Sequence, residues 1–254
     1  MNRSALLPAT REILDTLESL SGYPVSFVED PSLKVLATVR MATADSPIHL
    51  IAYQPGAPSP DYPIAVEAGH AIRMFRHPIE KRFQLAGDPA SRDELVDEVA
   101  TLHPRLPRDR LKGLSDFLFD SLILQLRSCP TGLLVDYTLY RNYPSLRSPQ
   151  AQSLREQLAT NVKVLAPEQM APFPTRITSA NRAMNAAFAI GVSELLGEPH
   201  LAVPYRAAGL EQIGLDLLSE LPPPDSEAVD DRALITAWAA RLGLEPWLKW
   251  LPLT

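Results

Sequence analysis

The chain has 254 residues, 46% of them apolar, enough to bury a sizeable core in one large domain or one domain with an appendage. Twenty-four basic against thirty acidic residues leave a net charge of −6, which argues against broad nucleic-acid binding but leaves room for a local basic patch. A single cysteine, Cys129, excludes an internal disulfide and a Cys-rich zinc site and suits a reducing compartment.

The opening MNRSALLPATREILDTL has no apolar core of signal-peptide length ahead of its charges, so a cytoplasmic location is expected. The most apolar run, Leu114 to Leu126, is too short to span a bilayer and carries Asp116 and Asp120, so no membrane association is expected.

In chain order, Thr10 is placed to cap a helix running to about Leu20, with Ile13, Leu14, Leu17 and Leu20 as its buried stripe and Gly22 as its stop. Three β-rich runs follow, Val25 to Val28, Val35 to Met41 and Ile48 to Tyr53, and suggest a small, mostly antiparallel sheet. The stretch Asp61 to Phe75 then reads DYPIAVEAGHAIRMF. On a helix, Ile64, Ala68, Ala71, Ile72 and Phe75 form one apolar stripe, while Val66, His70, Arg73 and His77 fall on the opposite side.

The segment from His77 to Leu106 is rich in Pro and charge, with one short acidic helix near 92–102, and is expected to wrap the surface. Arg105, Arg108, Arg110 and Lys112 form a basic cluster before and within the next helix, read as a solvated face or as a patch for an acidic partner. Helices are expected near 108–128, 131–142, 148–165, 175–197, 204–220 and 231–243, punctuated by Pro130, Pro144, Pro167 and Pro174. The 25 prolines favour short rigid connections over disorder. Ala183, Ala187 and Gly191 give one helix a smooth ridge and a central place, and Asn181 and Asn185 are expected to make structural hydrogen bonds there.

These elements define an α+β, mainly helical fold, in which a small three-stranded sheet beside the 61–75 helix precedes a helical bundle. Residues 1–220 form the domain, 221–230 a Pro-rich acidic linker and 231–254 a helical tail. Trp238, Trp247 and Trp250 are expected to dock the tail, because three exposed Trp would be a solubility liability.

The order Val66, Glu67, Ala68, Gly69, His70 differs by one residue from H-E-x-x-H, the helical zinc motif of metallopeptidases. Together with Ile51, Tyr53 and Pro55 before it, and the lead Asp61, Tyr62, Ile64 and Ala65, it resembles zincin-type metallopeptidase-like proteins related to the ImmA/IrrE group. The resemblance is to an uncharacterised branch with a degenerate motif. It implies Glu67 as general base if a metal is bound, and His70 as a ligand. It also implies Asp136 as the matching later acidic ligand, within PTGLLVDYTLYRNYP. His49, in the third strand, is the remaining candidate for a third ligand, although a strand His more often serves a structural role.

Val66 offers no lone pair, and His77 lies about 10 Å from His70 along the axis, a poor replacement. No metal is therefore expected, with zinc the choice if one is held. The leading expectation is a pseudo-metallopeptidase that binds a peptide or protein partner in a cleft lined by Val66, His70 and Arg73. A metal-dependent hydrolase with an altered ligand set, and a structural or oligomer-building protein, stand as alternatives. No G-x-S-x-G elbow, phosphate-binding Gly loop or Rossmann fingerprint is present.

Overall fold

The computed structural model of the protein describes residues 3–33, 35–55, 59–223 and 230–253, without the side chains of residues 169 and 170. Its elements in chain order are α1 (Pro8–Ser21), β1 (Val25–Glu29), β2 (Ala37–Arg40), β3 (His49–Tyr53), α2 (Asp61–Arg76), β4 (Phe83–Gly87), α3 (Pro89–Leu102) and α4 (Arg108–Asn142). There follow α5 (Arg147–Asn161), α6 (Pro167–Met170), α7 (Thr175–Leu196), α8 (Val203–Ala207), α9 (Glu211–Leu218), α10 (Asp231–Leu242) and β5 (Leu248–Pro252). The class is α+β and mainly helical, with one three-stranded and one two-stranded sheet. Among the described residues no helix is long and apolar enough to cross a membrane. The chain divides into two compact units, residues 1–84 with 135–153 and 252–254, and residues 85–134 with 154–251.

In the first unit α1 packs along α2, burying Ile13, Leu14 and Leu17 against the apolar stripe of that helix. Leu20, expected in the stripe, is 41% exposed because it sits in the last turn, just before Gly22 ends the helix in the left-handed conformation at φ 75°. Thr10 is not the cap: the helix starts at Pro8, whose missing N–H costs nothing in a first turn. The first turn is satisfied from a distance, since the Asp61 carboxylate accepts the Leu7 N–H at 2.7 Å and the Thr10 hydroxyl at 2.7 Å. The sheet runs β1-β3-β2; β2 pairs antiparallel with β3, but β1 pairs parallel, so only one of its two ladders is antiparallel. The helix and sheet cores meet where Phe75 packs edge-on to His49 at 5.0 Å and to Tyr23 at 6.4 Å.

In the second unit α7 is central, as its small-residue ridge implied: Ala183, Ala187 and Gly191 are buried. Gly214 of α9 comes so close that a Cβ there would lie 3.2 Å from the Ala186 carbonyl carbon. Asn181 donates to Gln125 Oε1 at 2.8 Å and Asn185 to the Asn181 carbonyl at 2.8 Å, the expected structural roles. Cys129, half-buried, directs its thiol at the Met184 carbonyl. Trp238 and Trp247 are buried, with Trp247 stacked on Phe119 at 4.7 Å.

Three further expectations are corrected. Pro130 does not end a helix, and α4 runs unbroken for 35 residues through it. Burial of Leu126, Pro130 and Leu133 outweighs the roughly 3 kcal/mol that an internal proline costs. The helix expected over 204–220 is instead two, because Gly209 adopts φ 73° and Leu210 N–H turns back to the Tyr205 carbonyl. Finally, the 77–106 segment and the tail each supply a strand, β4 and β5, which pair with each other. Most of the expected linker, 224–229, lies outside the described residues.

Candidate functional site

The lead residues before and within α2 hold the first unit together. Ile51, Ile64 and Ala65 are fully buried, and the Tyr53 hydroxyl donates to Glu29 at 2.7 Å. Asp61 caps α1. Tyr62 reaches the end of α4, where its hydroxyl donates to Asp136 Oδ1 at 2.6 Å. At the far end of α2, Arg82 closes the helix by donating to the His77 and Phe75 carbonyls at 3.0 and 3.3 Å, with its guanidinium 4.3 Å over the Phe75 ring.

Tyr62, Val66, Gly69 and Arg73 recur at helical spacing and share one face of α2. Gly69 meets α4 there: a Cβ would stand 2.6 Å from Val135 Cγ1, so any larger residue would have to displace that side chain. The next residue, Asp136, is 4% exposed and accepts from Gln150 Nε2 at 3.1 Å as well as from Tyr62, while its carbonyl takes the same Gln150 amide at 2.9 Å. Burial pushes the Asp136 carboxyl up to about 7, against the opposing pull of the Tyr62 and Gln150 hydrogen bonds. Burial and the facing Asp136 charge push the Tyr62 hydroxyl upward as well. Gln150 Oε1 is buried without a hydrogen-bond partner among the described residues.

The other nominated residues are placed as follows. Val66, Glu67, His70 and Arg73 are half-buried on α2, and Glu67, His70 and Arg73 each interact with other groups of the protein. His77 lies beyond the last helical residue with extended backbone, off the helix face it was expected to share. His49 is fully buried on the core face of β3. Its Nδ1 accepts the Ala42 N–H at 3.1 Å, which leaves the ring proton on Nε2 for donation to Ser21 Oγ at 2.9 Å. Burial pulls the imidazole below its ordinary value, with the Glu18 charge opposing, so the neutral ring is favoured.

A catalytic zinc takes three protein ligands and keeps one position for water. Val66 has no donor atom, both nitrogens of His49 serve the protein, and one oxygen of Asp136 already accepts two hydrogen bonds. Among the described residues no group of three or more His, Cys, Asp or Glu is arranged to hold an ion, so His49, Asp136 and His70 do not converge as a ligand set. The donor set as arranged does not fit that ion. Sequence reasoning reached Asp136 only through a resemblance and missed Gln150, which sits 14 positions later with no local signal.

Set against known proteins, the chain matches no family model, no curated protein and no solved structure.

Proposed function

We propose that the chain is a zincin-type, metallopeptidase-like protein with a degenerate motif, and that it works in the cytoplasm by capturing a peptide or protein segment beside α2 without a metal. The observation that carries this reading is the placement of β2. It is an edge strand, hydrogen-bonded on one side to β3 and without a strand neighbour on the other among the described residues, and α2 packs against both strands. An open edge offers unpaired backbone N–H and C=O groups in register for an added extended segment. Val39 and Arg40 on that strand are half-buried and exposed, and α2 itself carries Val66, His70 and Arg73, all half-buried.

The chemistry of the former ligand positions supports the same reading. Val66 cannot coordinate, and Asp136 and His49 are occupied with holding α2, α4 and the sheet in place. Without a metal, Glu67 has no activated water to deprotonate, and binding is what remains of the site.

The test is selection of displayed random peptides on the untagged protein with and without a chelator, repeated on Arg73→Glu after thermal melts show that this variant folds. Enrichment that survives the chelator and weakens about tenfold (~1.4 kcal/mol) in Arg73→Glu supports capture. Chelator-sensitive binding, or turnover abolished by Glu67→Gln, overturns it in favour of a hydrolase.

A further inference from the structure

The outward side of α4 in the second unit carries a feature that folding does not explain. Arg110, Gly113, Phe117, Ser121, Leu124 and Arg127 recur at three- and four-residue spacing, which places them in one stripe along the helix. All six are exposed, Phe117 at 68% and Leu124 at 55%. An aromatic and a leucine two turns apart, left in water on an otherwise well-buried helix, are unfavourable unless something covers them.

The ends of the stripe say what kind of surface covers it. Arg110 and Arg127 stand roughly 25 Å apart along the axis, and neither has an ion-pair partner among the described residues. The neighbouring charges are different. Lys112 is paired with Asp116 at 3.1 Å, and Arg92, lying over the Phe119 ring, is held by Asp116 and Asp120. The stripe therefore presents two uncompensated guanidinium groups bracketing two apolar side chains, on a protein whose net charge is −6.

A second copy of the chain is a poor occupant. Pairing two such stripes sets arginine against arginine whether the helices run parallel or antiparallel, and like charges brought together on docking are penalised. The complementary surface is apolar in the middle and acidic at both ends. A cavity of about 300 Å³ opens beside the stripe, lined by Leu85, Ile123 and Leu124 together with Arg92, its partner Asp120, and Arg127. It has the size to take one anchoring side chain from such a partner. Ser121 keeps the stripe low between the two apolar residues and Gly113 keeps it low before Phe117; a Cβ added at Gly113 would meet nothing within 4 Å, so a partner backbone can approach there.

We propose that the outward stripe of α4 from Arg110 to Arg127 is a docking site for an amphipathic helix of another protein, one with a short apolar face bracketed by Asp or Glu. This surface is separate from the capture site proposed beside α2 and does not depend on it.

The probes are two synthetic helical peptides of about 20 residues, long enough to span both arginines. They share one Leu/Ala face; one carries Glu at both ends and the other Lys. Each is titrated by fluorescence anisotropy onto the full chain and onto the variants Phe117→Ser, Leu124→Ser and Arg127→Glu, with circular dichroism as the check on folding. The Glu-ended peptide is expected to bind saturably, to weaken about tenfold or more in each variant, and to keep its affinity in Arg73→Glu. The Lys-ended peptide is expected to bind only Arg127→Glu measurably. Failure of the Glu-ended peptide to bind overturns the proposal, as does equal affinity for Arg127→Glu. Self-association of the wild-type chain in sedimentation that Phe117→Ser abolishes would overturn it in favour of a second copy.

Discussion

Around α2 several polar side chains are turned inward and hydrogen-bonded. Asp61 takes two donors from α1, Tyr62 and Gln150 share Asp136, and His49 spends both ring nitrogens on Ala42 and Ser21. Along α4, by contrast, Arg110 and Arg127 are exposed without counter-ions among the described residues, and Phe117 and Leu124 lie in water. In the first region Asp61, Asp136 and His49 each have an account in folding, because removing a partner leaves a buried charge or dipole unsatisfied. In the second, the same logic finds no folding role. Asp136 and His49, nominated as ligands, thus have structural roles, while the outward face of α4 is left for the docking proposed above.

Substitutions break this contrast in order of size. Phe75→Ala, which empties the position where α2, β3 and Tyr23 meet, is expected to cost about 3–5 kcal/mol, read from urea unfolding. Asp61→Ala strands two donors at the start of α1 and is expected to cost about 2–3 kcal/mol by the same measurement. Asp136→Asn tests the buried carboxyl through pH. Because the folded protein holds that proton up to about 7 while an unfolded aspartate releases it near 3.8, native Asp136 loses stability as pH rises through this window and is level above it. Its replacement is expected to flatten that decline in melts between pH 4 and 8. An unchanged slope would mean that Asp136 stays ionised inside the unit. Smallest of all, Phe117→Ser is expected to move stability by no more than about 0.5 kcal/mol, since the side chain packs on nothing that folding needs. A larger loss would return Phe117 to the structural side of the comparison.

What the sequence made legible follows the range of the forces involved. The helical stripe of α2 and the close-packing ridge of α7 are local patterns, and both appear where periodicity put them. His49 was read as more often structural than ligating in a strand, and its buried hydrogen bonds agree. Thr10 was misread because its hydroxyl answers to Asp61, 51 residues away, rather than to its own helix. Pro130 reads as a breaker in sequence because propensity is local, while the burial that keeps α4 intact is tertiary. β4 and β5 escaped notice for the same reason: LKWLP has no alternation of its own and becomes a strand only beside FQLAG, far away in the chain. The partners of Asp136 were half visible, Tyr62 inside the motif and Gln150 in a polar helix without a signal. The stripe on α4 was legible only in part. Arg105, Arg108, Arg110 and Lys112 stood out as a basic cluster, but the exposure of Phe117 and Leu124 depends on which side of α4 the core takes.

The central claim is that α2 keeps the outline of a zinc helix without the ion. It is tested most directly by elemental analysis for zinc, manganese, iron and nickel on protein purified without a histidine tag, beside His70→Ala. The account predicts metal far below one equivalent in both samples; near-stoichiometric metal in the wild type that disappears in His70→Ala would contradict it.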